Sequence, residues 1–491
     1  MKAFALDSMY YGYLLVLLSL SVFGIYRLVL IYLYFRYRAN RPHPKAYFRE
    51  LPKVTVQLPV YNEYYVIERL IRSVCVLDYP ADRLEIQVLD DSTDETRDVA
   101  AALVAEYQAR GIPIIHLCRH DRREFKAGAL AEGLKRARGD LVAIFDADFV
   151  PSRDFLRRTV HYFTDPKVGL VQARWGFLNE GFSLLTRVQA VFLNGHFMIE
   201  HTARNRSGRF FNFNGTAGIW RKAAILDAGG WQGDTLTEDL DLSYRAQMRG
   251  WRFVYLPEVV APSELPIEIN ALKSQQSRWS RGMIQCAFKL LPSIWKSGEP
   301  LRQKVDATFH LISCFGYLMT SFLSLLIVPT IYLQQDVFRR WPVYAILAVF
   351  STNLLSVIVY YFVAQRQAKR TGWRVLLDIL SLIFVGIGLS LNGARAAVAA
   401  LLSRSIPFIR TPKYRVESHE DGGLPRRYRT REDPSLYLEV AFALYYALWG
   451  YLVFKSGNLY FLPALIVFGP GYFYLIYLAL WSRMRVYGRR Q

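Results

Sequence analysis

Apolar residues follow two regimes along this chain. In one they run together for a bilayer's thickness; in the other they come in short blocks separated by polar stretches. The first long run extends from about Tyr10 to Phe35. A bilayer core needs roughly 20 apolar residues in a helix. A secretory signal would have a shorter apolar core and a small-residue cleavage site. No such site follows, so residues 1–36 are expected to be a retained anchor. The next long runs lie at about 307–333, 342–364, 375–402, 436–455 and 459–481.

Between the two regions the period shortens. Val54-Thr-Val-Gln-Leu-Pro, Glu85-Ile-Gln-Val-Leu, Ile112-Pro-Ile-Ile-His-Leu and Leu141-Val-Ala-Ile-Phe read as strands. The stretches Glu63 to Leu77, Asp94 to Arg110 and Lys126 to Arg138 read as helices between them. Strands alternating with helices predict an α/β domain with a mostly parallel sheet and helices on both faces. This block spans 50–265. Residues 266–303 form an amphipathic interface stretch, and 304–491 a helical transmembrane bundle.

Charge fixes the expected orientation. Lys and Arg outnumber Asp and Glu by 61 to 41, a net charge of +20. Much of the excess flanks the spans. Arg36, Arg38, Arg41, Lys45 and Arg49 follow the first one and place that end in the cytoplasm. Both flanks of 375–402 are basic: Arg366, Lys369, Arg370 and Arg374 before it, Arg404, Arg410, Lys413, Arg415, Arg426, Arg427, Arg429 and Arg431 after it. With both flanks cytoplasmic the segment cannot cross once, and it is too short to cross twice. It also contains Asn392, Gly393 and Arg395. It is therefore expected to be re-entrant or in-plane, with backbone breaks sheltered by protein. Five full spans then leave the N-terminus outside, and the catalytic block and the basic stretch Arg483 to Arg490 inside. Arg339 and Arg340, in a short external loop, do not fit this scheme. A juxtamembrane belt accounts for the charge, and no nucleic-acid-binding motif accompanies it. Cys75, Cys118, Cys286 and Cys314 form no CxxC pair, so neither a disulfide framework nor a zinc site is read from them.

Candidate chemistry gathers where strands end. Asp90-Asp91-Ser-Thr-Asp94 follows the second strand and Asp146-Ala-Asp148 the fourth. Ligands of open α/β sheets sit beyond the carboxyl ends of strands. Residues i and i+2 of a strand point the same way, so Asp146 and Asp148 can reach one cation. Oxygen-only ligands suit Mg2+ or Mn2+ bridging a diphosphate; alone, the same pair is often a turn or a helix cap. Thr237-Glu238-Asp239-Leu-Asp241 opens a helix, where acids are favoured as caps. Gln275-Gln-Ser-Arg278-Trp279 lies in the amphipathic stretch and could equally be an interfacial anchor. His196 and His201 read as structural. The P-loop and the Rossmann dinucleotide fingerprint are both missing.

In this order the four clusters, followed by spans, resemble the membrane-embedded family 2 glycosyltransferases, which include cellulose and hyaluronan synthases. The similarity is strongest to the cellulose synthase-like A and C group of glucomannan and glucan backbone synthases. It is supported by Val56-Gln-Leu-Pro-Val-Tyr-Asn-Glu63, Phe125-Lys126-Ala-Gly-Ala-Leu130, Phe213-Asn-Gly-Thr-Ala-Gly-Ile-Trp-Arg221, Gly229-Gly-Trp231 and Phe408-Ile-Arg-Thr-Pro-Lys413. The resemblance implies a GT-A fold and an inverting transfer of hexose from a nucleotide sugar, UDP-glucose or GDP-mannose. It implies that Asp90 and Asp91 hold the nucleoside and Lys126 the diphosphate or ribose. Asp146 and Asp148 would flank Mg2+ or Mn2+, with Asp148 the more direct ligand, and Asp146 would also touch the donor. Asp239 would be the general base, with Glu238 beside it on the acceptor side. Gln275 and Trp279 would meet the acceptor and Arg278 the phosphate. Thr411 and Lys413, in the cytosolic 403–435 loop, would close over the donor.

The partners implied are a nucleotide sugar, a glycan or glycolipid acceptor and a lipid bilayer, with no nucleic acid. The expected location is an inner or plasma membrane with the catalytic domain cytoplasmic. Bacterial cellulose synthases carry a C-terminal regulatory domain; the chain ends soon after its last span, so control by cyclic dinucleotide through such a domain is not expected. Three functions remain open: a processive β-glycan synthase that also translocates its product, a single-transfer glycolipid synthase of the glucosylceramide or glucosyldiacylglycerol type, and a scaffold or transporter built on a decayed transferase. The third should have lost acids, and none is missing.

Overall fold

The computed structural model describes residues 2–333, 342–402, 410–417, 428, 432–457 and 461–487, with side chains omitted at 2–6, 342–350 and 483–487. The cations Arg339, Arg340, Arg404, Arg426, Arg427, Arg429 and Arg431, most of the 403–435 loop, and the side chains of the Arg483 to Arg490 stretch therefore lie outside the described residues.

Seven strands form the soluble sheet: β1 (Val54–Val60), β2 (Leu84–Asp90), β3 (Ile114–Cys118), β4 (Leu141–Ile144), β5 (Val168–Phe177), β6 (Gly218–Arg221) and β7 (Arg252–Ser263). Their order is β3-β2-β1-β4-β6-β5-β7. β1 to β4 are mutually parallel, β6 runs antiparallel to both neighbours, and β7 is parallel to β5. The sheet is thus mostly parallel, with one reversed strand.

Each face of the sheet has its own core. On one, Val54, Val56 and Leu58 pack with Leu70, Ile71 and Val74 of the Ile67–Cys75 helix. On the other, Val142 and Ile144 pack with Leu130, Leu134, Trp220 and Leu242. β1 is buried on both sides, so its polar residues need partners. In-register neighbours on β2 supply them: Thr55 Oγ1 donates to Glu85 Oε2 at 2.6 Å, and Gln57 Nε2 donates to Gln87 Oε1 at 3.0 Å.

The predicted helix over 63–77 is shorter, Ile67–Cys75, because Asn62 is left-handed (φ 53°) and Glu63 is drawn to Arg410 instead. β5 to β7 were not anticipated. β7 carries Pro257 and Pro262, which weaken its strand signal; as an edge strand it tolerates them.

Among the described residues, five helices are long and apolar enough to cross a membrane: Asp7–Tyr37, Phe315–Leu333, Arg374–Leu402, Ser435–Ser456 and Leu462–Ser482. The run predicted at 307–333 is divided between a shorter helix, Leu301–Leu311, and the Phe315–Leu333 span. Pro342–Gln367 is also helical. The breaks expected in 375–402 are not there: Arg374–Leu402 is one continuous helix. The residues that suggested a break serve packing. Asn392 Nδ2 donates to the Lys273 carbonyl at 3.0 Å, Gly393 lies against the Tyr317 ring, and Arg395 forms a fork to both oxygens of Asp433 at 2.8 Å.

Candidate active site

β4 ends at Ile144, and Asp146-Ala147-Asp148 lies just past it rather than on the strand itself. A lysine meets each carboxylate. Lys126, from the Phe125–Arg136 helix, places Nζ 2.5 Å from Asp146 Oδ1 and donates to the Gly215 carbonyl at 2.9 Å. Lys413 places Nζ 2.7 Å from Asp148 Oδ2. The Asp146 N–H donates to Thr216 Oγ1 at 2.9 Å, tying the β4 end to the loop before β6.

Gly215 in that loop has φ +79°, and a Cβ there would come within 3.1 Å of Asp239 Oδ2 and 3.3 Å of Lys126 Nζ. Glycine therefore leaves room for the base candidate and the lysine side by side. Asp239 sits in the first turn of the Glu238–Met248 helix, where Oδ1 accepts from Leu240 N at 2.9 Å. Burial, and then the neighbouring Glu238 carboxylate, push its pKa up to about 7. Glu238 and Asp146 are also raised, first by burial, with Lys126 opposing. Burial alone would lower the pKa of Lys126; Asp146 and Glu238 outweigh it, so the ammonium is favoured. Shifted carboxylates beside a charged partner in a cleft are a feature that reactive sites share with structural ion-pair networks.

The Ile269–Lys296 helix closes the site on the side of the apolar helices. It packs so tightly on the 237–239 cluster that a Cβ on Gly282 would come within 2.5 Å of Thr237. Leu236 N donates to Gln285 Oε1 at 2.9 Å, which locks the same contact. That docking places Arg278 among Glu238, Asp146, Asp239 and Asp148; burial depresses its pKa and these carboxylates oppose it. A cavity of about 540 Å³ begins at Thr237, Asp239 and Trp279 and continues between the apolar helices, past Phe23, Leu323 and Leu382. Gln276 lines it; Gln275, the predicted acceptor residue, is half-buried off that wall.

At the other end are the β2 acids. Asp90 is fully buried, with His116 Nε2 2.8 Å from Oδ2 and Ser92 N donating to Oδ1 at 2.8 Å. Burial would raise its pKa, but these hydrogen bonds hold it below the usual value. Asp91 receives a bidentate Arg119 fork at 2.7 and 2.5 Å. Arg122 lies over the Tyr61 ring, 3.3 Å from its centroid.

Residues 410–417 lie across the carboxyl ends of the strands. Arg410 forks onto Glu63 at 2.8 and 2.7 Å, and Lys413 Nζ also donates to the Glu264 carbonyl at 2.7 Å. The N–H groups of Tyr414 and Arg415 donate to the Glu264 carboxylate at 2.9 and 3.0 Å. Thr411 is buried beside them. Glu63 closes the Val56–Glu63 string, Glu264 carries no motif, and only the chain crossing brings both to residues 410–415.

His196, expected to be structural, pairs with Glu200, which no motif marks. They lie on a π-helical turn, Gly195–Glu200, a geometry common at functional sites. His196 bridges Glu200 Oε2 and Asn214 Oδ1, each at 2.9 Å. Asn214 Nδ2 contacts His201 Nε2 at 2.6 Å. The histidine pair thus braces the loop that carries Gly215 and Thr216.

An oxygen-only carboxylate pair is the donor chemistry that Mg2+ or Mn2+ takes, and here a lysine pairs with each member. Comparison with known proteins agrees on the family. Residues 52–282 match the family described as glycosyltransferase like family 2. Glucomannan 4-beta-mannosyltransferase 2 of Arabidopsis thaliana is 46% identical over 248 residues, 50% of this chain and 46% of that protein. Glucomannan 4-beta-mannosyltransferase 1 of Cyamopsis tetragonoloba is 36% identical over 366 residues, 72% of this chain and 66% of that protein. The chain thus spans about half the length of several curated relatives it matches, and about two thirds of the latter. Among solved structures, a mannosyltransferase from Pyrobaculum calidifontis in complex with GDP-Man and Mn2+ covers 78% of this chain and 99% of its own, with 22% identity and a TM-score of 0.50. That likeness supports the GT-A-like fold. Through residues 52–282, the chain belongs to glycosyltransferase family 2.

Proposed function

We propose that this protein is a membrane β-mannosyltransferase that elongates a mannan or glucomannan from GDP-mannose. The observation that carries this reading is the position of Asp239 at the head of a cavity that runs on between the apolar helices. An acceptor chain end held there meets the base, and the growing chain has a path away from it. The names of the relatives favour a mannosyl donor and a 4-β linkage.

The transfer is a direct displacement. The acceptor hydroxyl oxygen attacks the anomeric carbon, the bond from that carbon to the diphosphate breaks, and the nucleoside diphosphate leaves with the electron pair. Asp239 takes the hydroxyl proton; such a base contributes about 10²–10⁴-fold. Lys126 and Arg278 face the growing negative charge of the leaving group, and fixed charges of this kind are usually the largest catalytic term. Asp146 and Asp148 would hold Mg2+ or Mn2+, which when bound supplies further charge neutralisation at the diphosphate. Asp90 and Asp91 anchor the nucleoside. Trp279 offers a ring face to the acceptor sugar, and Thr411 and Lys413 cover the donor. We place the domain on the cytoplasmic side of a plasma or inner membrane, with 374–402 lying in-plane and its basic flanks on that side.

A second reading keeps the same chemistry with a glycolipid acceptor, favoured by the apolar walls of the cavity. Incubating membranes with labelled GDP-mannose, GDP-glucose, UDP-glucose and UDP-N-acetylglucosamine tests both. An ethanol-insoluble product made from GDP-mannose and digested by β-mannanase is expected. A label that extracts entirely into organic solvent would establish the glycolipid reading, and no incorporation from GDP-mannose would overturn the donor.

A further inference from the structure

Asp90 and Cys118 are register partners on the parallel strands β2 and β3, and His116 stands two residues before Cys118. Side chains at i and i+2, and at paired positions of neighbouring strands, share one face of a sheet. The fold therefore gathers a carboxylate, an imidazole and a thiol at one place. Their ligand atoms all lie within 4.8 Å of one another. His116 Nε2 is 2.8 Å from Asp90 Oδ2 and 3.5 Å from Cys118 Sγ. Around a tetrahedral ion, bonds of about 2.0 Å to nitrogen and oxygen and 2.3 Å to sulfur separate N from O by about 3.3 Å and N from S by about 3.5 Å. The N–S spacing matches that value, and the N–O pair is about 0.5 Å shorter because it is a hydrogen bond that the ion would replace.

The donor set also selects the ion. Mixed N, S and O ligands suit zinc, whereas magnesium and manganese prefer oxygen alone. The Asp146–Asp148 pair is the oxygen-only kind. This second cluster is of different chemistry, at the opposite, nucleoside end of the site. Asp90 is closed from solvent, but Cys118 is exposed, so an ion has an entry side.

We propose that Asp90, His116 and Cys118 form a three-ligand site for a zinc-class divalent ion, with its fourth position open to water. Binding releases the thiol proton and replaces the His116–Asp90 hydrogen bond with two metal bonds. It also occupies the Asp90 carboxylate. Resting on the nucleotide-sugar reading above, zinc at this site competes with the nucleoside and inhibits donor binding.

Cobalt(II) is the probe, added to the full-length protein in lipid nanodiscs, stripped by chelator and then saturated with Mg2+ to fill the oxygen-only pair. We expect about one equivalent to bind with a thiolate-to-cobalt charge-transfer band, discharged by zinc. Cys118→Ser should lose that band while folding and turning over normally without zinc. Cys75, Cys286 and Cys314 are buried, so none of them should replace it. His116→Ala should weaken cobalt binding by about 10-fold or more, since even outer-shell partners of a metal are worth that much. A wild-type protein without the band, or a Cys118→Ser protein that retains it, overturns the site. In the activity arm, zinc should raise the donor KM of wild type at unchanged kcat, with Cys118→Ser needing about 10-fold more zinc for the same effect. If the cobalt band is present and zinc leaves the donor KM unchanged, the metal site stands and the nucleoside role of Asp90 falls.

Discussion

Lys413 Nζ lies 2.7 Å from Asp148 Oδ2. On the proposed reading this carboxylate would serve two cations in turn, the lysine and a divalent ion. A hydrogen bond to a charged group is worth about 1.5–3 kcal/mol net, so removing the lysine should free Asp148 for the ion by about 10-fold or more. Lys413→Met should bind Mn2+ that much more tightly, read by electron paramagnetic resonance of free Mn2+ without donor. Its donor KM should rise, because the same ammonium is lost from the diphosphate. An unchanged Mn2+ affinity would mean that Lys413 does not guard the cation site.

As the proposed base, Asp239 should govern the pH dependence. Its pKa, pushed up to about 7 by burial and by Glu238, makes it a base poised near neutrality. A base acts when deprotonated, so kcat should fall as pH drops through the neutral range. A bound cation lowers that midpoint, because added positive charge favours the carboxylate. Asp239→Asn keeps the shape and removes the basicity. We expect near-normal donor affinity by calorimetry, with turnover down at least about 100-fold and the acid limb gone. Asp91→Asn should do the reverse and weaken donor binding, since it strips a carboxylate from the Arg119 fork. A variant at Asp239 with normal turnover would move the base to Glu238.

How far the sequence reaches differs between elements. β1 to β4 and the acids after β2 and β4 were legible because strand period and strand-end carboxylates are local signals. Glu238, Asp239 and Arg278 were legible only as a set; each alone reads as a cap or an anchor. Glu264 was invisible, because its partners Lys413 and Tyr414 are about 150 residues away in sequence. His116 was invisible for a related reason: pairing of β3 with β2, not spacing, brings it to Asp90. Asn392 and Gly393 misled, since polar and small residues in an apolar run mark packing contacts as readily as breaks.

The placement of 374–402 has a direct test. Its basic flanks are the ground for proposing that both ends lie on one side. Single cysteines placed near Arg370 and near Lys413, in a background without reactive thiols, should be labelled by an impermeant maleimide from the same side of sealed vesicles. The helix is long and apolar enough to cross. Labelling from opposite sides would make it a true span and move the C-terminal spans to the reverse orientation.

The interface helix is held to the bundle by an ion pair that can be removed in two ways. Lys273 and Glu439 are both fully buried, with Nζ 2.7 Å from the carboxylate, and Ser435 Oγ donates to the same group at 3.0 Å. Lys273 sits one turn or more before Arg278, on the helix that delivers that arginine to the site. Removing one partner strands a buried charge, which costs about 3–5 kcal/mol, while replacing both together is often near neutral. Lys273→Met alone should lower the thermal midpoint of the purified protein sharply and reduce turnover through misplacement of Arg278. Lys273→Met combined with Glu439→Gln should recover most of the stability. If the pair only holds the helix, turnover returns with it. The test is a double-mutant cycle in detergent, with melting and transfer measured on the same preparations. A single variant as stable as wild type would show that the pair does not bind the helix to the bundle, and a stable double variant with no recovered turnover would give Lys273 a part in positioning the site beyond holding the helix.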